Sequence, residues 1–314
     1  MNKKCIWICC IAVSAGICVS MWALFLYSPT GMSFPDSHPD PKATGPSVDH
    51  AAEESRQLRY GFAVQNTTGR VVPKALLHVY APVRKTATQR VEAIESSHPY
   101  QLTQDCLGNQ VLSFHLTDIP PYGSRIINIK ADLSISHKPK HESRPLHEEW
   151  FLSPEPHVES DHPIITRRAD ALKQESPKDT AEAIFRWVAG HIEYSGYQRR
   201  AHGALRALSL AKGDCTEYMD LFAALSRAAN IASRRAGGYV VSKNSVLSPS
   251  GYHNWAEFYL DGRWHVADPQ RGMFMDDSGV YIAMRIISEH CQTPMKHYSQ
   301  YRVEGDGVRV TMSP

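Results

Sequence analysis

Gly213-Asp214-Cys215-Thr216-Glu217-Tyr218 and Tyr252-His253-Asn254-Trp255-Ala256-Glu257-Phe258-Tyr259-Leu260 decide how this chain reads. In the first stretch Asp214 is placed to cap a helix, and Glu217, three residues on, completes a capping box. Tyr218, Leu221, Phe222 and Leu225 then recur at helical spacing as one apolar stripe. The pattern predicts a helix with Cys215 at its first position. The free N–H groups and the dipole there favour an anion and draw a thiol toward thiolate. Asp214 and Glu217 oppose that shift, so a histidine partner is needed to supply the rest. Taken alone, one cysteine at a helix start is more often structural than catalytic.

The second stretch supplies the histidine. It alternates as a strand, Asp261-Gly262 follows as a tight-turn pair, and Arg263-Trp264-His265-Val266-Ala267-Asp268-Pro269 reads as the returning strand. Such a hairpin brings His253 near Asp268 with no long-range assumption. A carboxylate that holds an imidazole keeps the tautomer able to accept a proton from sulfur. Trp255 and Trp264 are expected to pack the hairpin on the core, and Glu257 to pair with a buried arginine such as Arg234. His265 points opposite to Trp264 and is not assigned to catalysis. The bland reading of the pair is a satisfied strand histidine and a turn aspartate.

Three blocks in this order carry a family resemblance. Gly213-Asp214-Cys215, Leu221 to Leu225, Arg227-Ala228 and Arg234 ahead of Gly237-Gly238-Tyr239 resemble the cysteine helix and following strand of bacterial transglutaminase-like domains. His253-x-Trp255-x-Glu257, Gly262-x-Trp264 and Asp268-Pro269 resemble that family's histidine and aspartate segments. The resemblance spans about Asp161 to Arg271 and implies a papain-like core with catalytic residues Cys215, His253 and Asp268. In that chemistry the thiolate attacks an amide carbonyl to form a thioester, His253 accepts and then donates a proton, and Asp268 stabilises the imidazolium. The Cys215 N–H is a candidate oxyanion donor, with Tyr194 or Tyr197 as a second.

Outward from this core, residues 56 to 136 show period-two patterning. Tyr60, Phe62 and Val64 mark one strand, Leu112, Phe114 and Leu116 another, and Ile127, Ile129, Ala131 and Leu133 a third, with turn residues between them. Short alternating strands argue for a small antiparallel sandwich, and the segment from Asn66 to Leu133 also resembles the sandwich that often precedes such domains. Asn66-Thr67-Thr68 matches a glycosylation sequon, which matters only in a eukaryotic secretory setting. Residues 137–162 are polar and proline-containing and read as a linker over the surface. Helical patterning begins after Pro163. Ser176-Pro177 is a cap followed by proline at the first helical position, and Ile184, Trp187, Val188 and Ile192 continue at helical spacing. Strand-like runs at Val280 to Ile287 and Tyr301 to Val310 are expected to complete the catalytic sheet. Arg199-Arg200 and Arg234-Arg235 are short basic pairs for which solvated faces or contacts to a substrate carboxylate are both open, with the solvated reading favoured.

At the start of the chain, Lys3 and Lys4 precede an uncharged run of 23 residues from Cys5 to Tyr27. About 20 apolar residues cross a bilayer as a helix, and a cleaved signal core is shorter, about 7–15 residues. An uncleaved anchor is therefore favoured, with the remainder outside the cytoplasm, in a periplasm or extracellular space. Residues 28–54, rich in Pro, Ser, Asp and His, read as a flexible tether.

Four of the seven cysteines lie in the apolar run, and Cys106, Cys215 and Cys291 lie outside it. An odd count in an oxidising compartment implies a free thiol or an intermolecular bond. A Cys106–Cys291 disulfide with Cys215 free is one pairing left open. The net charge of +2 gives no electrostatic case for nucleic acid. The 16 histidines are scattered, with no HExxH or paired CxxC, so neither metal nor cofactor is assigned.

The resulting expectation is an α+β chain: a papain-like transglutaminase core (163–314) preceded by a small antiparallel β-sandwich (55–136), a linker (137–162), a tether (28–54) and an N-terminal transmembrane helix (1–27). Its expected partners are a peptide or protein substrate and the membrane. The alternative is a non-catalytic exported binding module that retains the fold.

Overall fold

The structure, a computed structural model, describes residues 53–313 apart from 144, 146, 199 and 200. The expected anchor (1–27), nearly all of the tether and the Arg199-Arg200 pair lie outside the described residues. Among the described residues no helix is long and apolar enough to cross a membrane.

The period-two segments form β1 (Glu54–Asn66), β2 (Val72–Ala81), β3 (Gln89–Ser96), β4 (Gln101–Gln104), β5 (Gln110–Ile119) and β6 (Ser124–Ile135). The alternating residues read from sequence are the ones that face inward. Phe62, Val64, Leu112, Phe114, Ile127 and Ala131 are all buried. Asn66, the sequon asparagine, is buried too, and its amide donates to the carbonyls of Arg70, Ile119 and Pro120.

The remaining elements are α1 (Pro163–Leu172), α2 (Pro177–His191), β7 (Glu193–Tyr194), α3 (Ala204–Leu210), β8 (Lys212–Gly213) and α4 (Cys215–Ala228). They are followed by β9 (Ser233–Val240), β10 (Ser245–Val246), β11 (Tyr252–Leu260), β12 (Arg263–Asp268), β13 (Met273–Phe274), β14 (Tyr281–Ile287), β15 (Tyr301–Glu304) and β16 (Val308–Ser313). Ser176 caps α2 by accepting from the Asp179 N–H, with Pro177 at the first helical position. Trp187 is only partly buried. It lies under the Arg168 guanidinium and stacks on His191 at the flank of the helix layer.

The sheet expected to be catalytic, the second five-stranded one, has the order β13-β12-β11-β9-β14. Phe222 of α4 meets Phe258 of β11 in the core between helix and sheet. Val280 to Ile287 therefore supplies an edge strand here, as expected. Tyr301 to Val310 does not: β15 pairs with β2 and β16 with β1, extending both sheets of the sandwich. The reason is apolar complementarity, since Val310 and Met312 are buried in the sandwich core, which also takes in Tyr239, Ile282 and Met284 from the second five-stranded sheet.

The segment 137–162 also departs from a surface linker. Phe151 is buried edge-on against Trp264, and Glu155 and Val158 are buried as well. An ion cluster fixes it there. Arg227 of α4 donates to Glu155 Oε1 at 2.9 Å, to the Ser153 carbonyl at 2.8 Å and to the Ser233 carbonyl at 2.9 Å. Arg235, expected to be solvated, belongs to the same buried cluster. It pairs with Asp220 at 3.2 Å and Glu155 at 3.3 Å. Its place on a central strand, facing α4, outweighs the exposure usual for a basic pair. Cys106 and Cys291 form a disulfide, which leaves Cys215 as the free cysteine among the described residues.

Candidate active site

The capping box read from sequence builds the start of α4. Asp214 Oδ1 accepts from the Thr216 N–H at 2.8 Å, and Glu217 Oε2 accepts from the Asp214 N–H at 2.9 Å. Asp214 Oδ2 also accepts from the Gln198 N–H at 2.7 Å, which fastens the preceding loop to the helix. Cys215 is thereby held at the first helical position.

Asp261 and Gly262 both have positive φ, which suits a two-residue turn joining twisted strands. The turn sets the β11–β12 register, with Ala256 opposite Ala267. That register brings His253 and Asp268 together diagonally, and His253 Nε2 lies 2.6 Å from Asp268 Oδ2. The imidazole is 12% exposed and the carboxylate 1%. Asp268 is itself held from two sides. Tyr281 Oη donates to its Oδ2 at 3.0 Å, and the Arg271 N–H donates to its Oδ1 at 3.3 Å. Sequence reasoning did not find Tyr281, because it reaches Asp268 from another strand and no local spacing marks it.

On the same side of β11, Glu257 pairs with Arg234 Nε at 2.7 Å and Nη2 at 2.6 Å, and accepts from the Trp255 indole at 3.3 Å. The Arg234 guanidinium lies 4.1 Å over the Trp264 ring. Glu257 thus has the structural role expected of it, and Trp255 and Trp264 are buried as expected. His265 packs beside Phe258, away from this cluster.

Cys215 Sγ meets the strand at Asn254, the residue beside the histidine. Asn254 Nδ2 lies 3.7 Å from Sγ and 3.0 Å from Thr216 Oγ1. Strand alternation accounts for this: Asn254, Ala256 and Phe258 face α4, while His253, Trp255 and Glu257 face the opposite layer. His253 and Asp268 are thus directly bonded, whereas the sulfur has no hydrogen bond to His253.

Burial, and next the Asp214 carboxylate, push the Cys215 thiol up to about 11; the Asn254 N–H and the Thr216 hydroxyl draw it back only in part. The helix start does not by itself deliver a thiolate, so a base must take the proton. The two tyrosines named as candidate oxyanion donors are both exposed, Tyr197 at 83% and Tyr194 at 58%; Tyr197 is at the rim of the cavity that contains Cys215, and Tyr194 is not among the lining residues.

Residues 166–269 match the family model of the transglutaminase-like superfamily. Kyphoscoliosis peptidase of Mus musculus and of Homo sapiens is 30% identical over 118 residues, covering 34% of this chain. The matched segment spans only 18% of those relatives. A proposed cysteine protease from Cytophaga hutchinsonii shares the fold, with a TM-score of 0.55 at 17% identity over 83% of this chain and 92% of that one. Residues 166–269, which hold the cysteine helix and the histidine–aspartate hairpin, therefore belong to the transglutaminase-like superfamily.

Proposed function

We propose that the chain is a thiol acyl-transfer enzyme that acts on peptide or protein amides through Cys215, His253 and Asp268. The observation that carries this reading is the 2.6 Å contact between His253 Nε2 and a buried Asp268 carboxylate. With Nε2 engaged, Nδ1 is the nitrogen left to receive the sulfur's proton, and the carboxylate stabilises the imidazolium that forms. Sγ meets β11 at Asn254, the neighbour of His253 near the start of the strand, so the proton passes around this end of the strand from one face to the other.

Sγ attacks the amide carbonyl as His253 takes its proton. The C–N bond then breaks, the proton leaves with the amine, and a thioester remains on Cys215. A second nucleophile, water or an amine, resolves the thioester, with His253 again accepting and returning a proton. Water gives a peptidase or amidase and an amine gives a transglutaminase. The Cys215 N–H at the start of α4 is one oxyanion donor, and the Asn254 amide, whose Nδ2 lies 3.7 Å from Sγ, is the nearest side-chain donor for the second.

We place this domain outside the cytoplasm, tethered by the apolar run Cys5–Tyr27. The Lys3-Lys4 flank supports that orientation, and the Cys106–Cys291 disulfide suits an oxidising compartment.

The test is mass spectrometry of the full chain after incubation with a complex peptide mixture and an acid quench. An acyl adduct on Cys215, lost in His253→Ala, is the expected result. A labelled amine in the same mixture separates the two acceptors. No adduct, together with alkylation of Cys215 at the rate of a free cysteine peptide, would leave a binding module instead.

A further inference from the structure

Cys215 opens into a cavity of about 1290 Å³ whose wall includes Asp220, Arg235, Tyr252, Asn254 and Arg285. Its floor is set by the sheet register. Gly237 of β9 stands between Asn254 of β11 and Arg285 of β14. A Cβ on Gly237 would lie 2.4 Å from Tyr252 Oη and 2.8 Å from Asn254 Oδ1, so the missing side chain leaves room for both groups to converge there.

This wall holds buried polar atoms without hydrogen-bond partners among the described residues: Arg285 Nε, Arg235 Nε, Asn254 Oδ1 and Asp220 Oδ2. Such atoms are rare in folded proteins and disfavour the empty state. Of the carboxylates that line the cavity, Asp220 faces Arg235 through Oδ1, and two others are engaged by N–H donors. Asp105 accepts from Leu107 and Asn109, and Asp214 from Gln198 and Thr216.

Arg235 shares its charge with Asp220 and Glu155. Arg285 has no carboxylate within ion-pair distance among the described residues; its polar neighbours include the Tyr298 carbonyl, 3.4 Å from Nη1, and the Tyr80 and Tyr252 hydroxyls. A guanidinium is always charged and presents a planar fork that matches a carboxylate.

We propose that this basin binds a carboxylate of the acyl donor, with Arg285 as its main partner and Tyr252 and Arg235 beside it. The inference rests on Cys215 being the nucleophile, and it names the substrate class: peptides that carry an acidic side chain or a free C-terminal carboxylate next to the reacting amide. Asn254 bridges the two halves of the site. Its Nδ2 touches the sulfur, and its Oδ1 faces the basin, where it can accept a substrate N–H.

The test uses matched thiol alkylators on the full chain. N-iodoacetylglycine against N-iodoacetylglycinamide probes a terminal carboxylate. The N-iodoacetyl derivatives of glutamic acid α-amide and glutaminamide probe a side-chain one. The readout is the anionic-to-neutral rate ratio at Cys215, divided by the same ratio on a free cysteine peptide. At least one pair should give a normalised ratio of about tenfold, as expected of a charge-assisted pair. Arg285→Gln should return that ratio to about one and Arg285→Lys should keep most of it. In the unmodified protein the preference should also shrink as salt rises from 0.05 to about 0.5 M, which needs no variant.

A normalised ratio near one for both pairs in the unmodified protein overturns the inference. So does a preference that survives Arg285→Gln. Failure of the nucleophile reading shows separately, as neutral alkylators that react no faster than with the cysteine peptide whatever residue stands at 253.

Discussion

The two faces of β11 solve opposite problems. Toward one layer, His253, Trp255 and Glu257 meet their partners: Asp268 backed by Tyr281 for the imidazole, and Arg234 and the Trp255 indole for the carboxylate. Toward the other, Asn254 leaves its Oδ1 unmatched, beside a Tyr252 hydroxyl that meets Arg285, at the edge of a cavity shared with Cys215. Fixing a side chain in one orientation requires that its hydrogen-bonding capacity be filled. Receiving a ligand requires that some of it be left open. Because alternate residues of a strand point apart, a single strand can serve both ends within a few residues.

The sharpest way to break this comparison is to remove the base from the filled face and watch the open one. Burial and Asp214 hold the thiol up to about 11. In His253→Ala, alkylation of Cys215 by a neutral reagent should then rise about tenfold per pH unit from 7 toward 11, following the thiolate fraction. With His253 present, the rate at neutral pH should lie well above that line, because the imidazole can take the proton as the sulfur reacts. Acyl transfer by the variant should fall by about a thousandfold or more. Rate–pH profiles of the two proteins that superimpose would show that the faces do not communicate.

Asp268→Asn keeps the shape of the brace but not its charge, and should lower kcat by about a hundredfold or more with KM little changed. Tyr281→Phe removes one donor to the same oxygen and should cost about tenfold or less. Steady-state kinetics on any substrate found by adduct trapping checks both. Equal losses in the two variants would mean that the carboxylate acts only through its hydrogen-bond network and not through its charge.

The filled face was largely legible in the sequence and the open face was not. His253 and Asp268 sit on one hairpin whose turn residues fix the register, so local rules suffice. The capping box and the Tyr218-Leu221-Phe222-Leu225 stripe do the same for α4. Asn254 lay within the decisive stretch, but without the helix in place nothing distinguished its contact with sulfur from ordinary strand polarity. Arg235 is buried between β9 and α4 and Arg285 is half-buried on β14; composition favours reading a basic pair such as Arg234-Arg235 as solvated, and nothing local marks a lone strand arginine. Strands β15 and β16 were assigned to the wrong sheet for a related reason. Alternation tells which residues of a strand are buried, and not which neighbour buries them.

The ion cluster beneath the cavity offers a third cut. Arg227 is buried with Glu155, and Arg235 with both Glu155 and Asp220. Arg227→Ala leaves the Glu155 carboxylate with Arg235 and the Glu289 N–H and frees two carbonyls, so it should destabilise the domain by about 3–5 kcal/mol. Denaturant unfolding measures this. A loss below about 1 kcal/mol would mean that the segment around Glu155 is held by Phe151 and Val158 packing instead.

The smallest effect expected is one of pH on stability, and it comes from the cavity side. Asp220 is fully buried, and its carboxyl is pushed up to about 7 chiefly by that burial, with Arg235 opposing the shift. A carboxyl whose folded-state pKa lies above its unfolded value binds its proton more tightly in the folded protein. Its contribution to stability is therefore fully present below about pH 4 and is lost as pH rises through about 7. Asp220→Asn removes that titration, so the decline in stability attributable to this group between about pH 4 and 7 should flatten. Urea unfolding at several pH values in both proteins reads the difference in slope directly. If a bound carboxylate ligand also releases Asp220 from sharing Arg235, the ligand should steepen the same decline in the unmodified protein and leave the variant unchanged. That outcome would tie the ion cluster to the open face and not to the filled one.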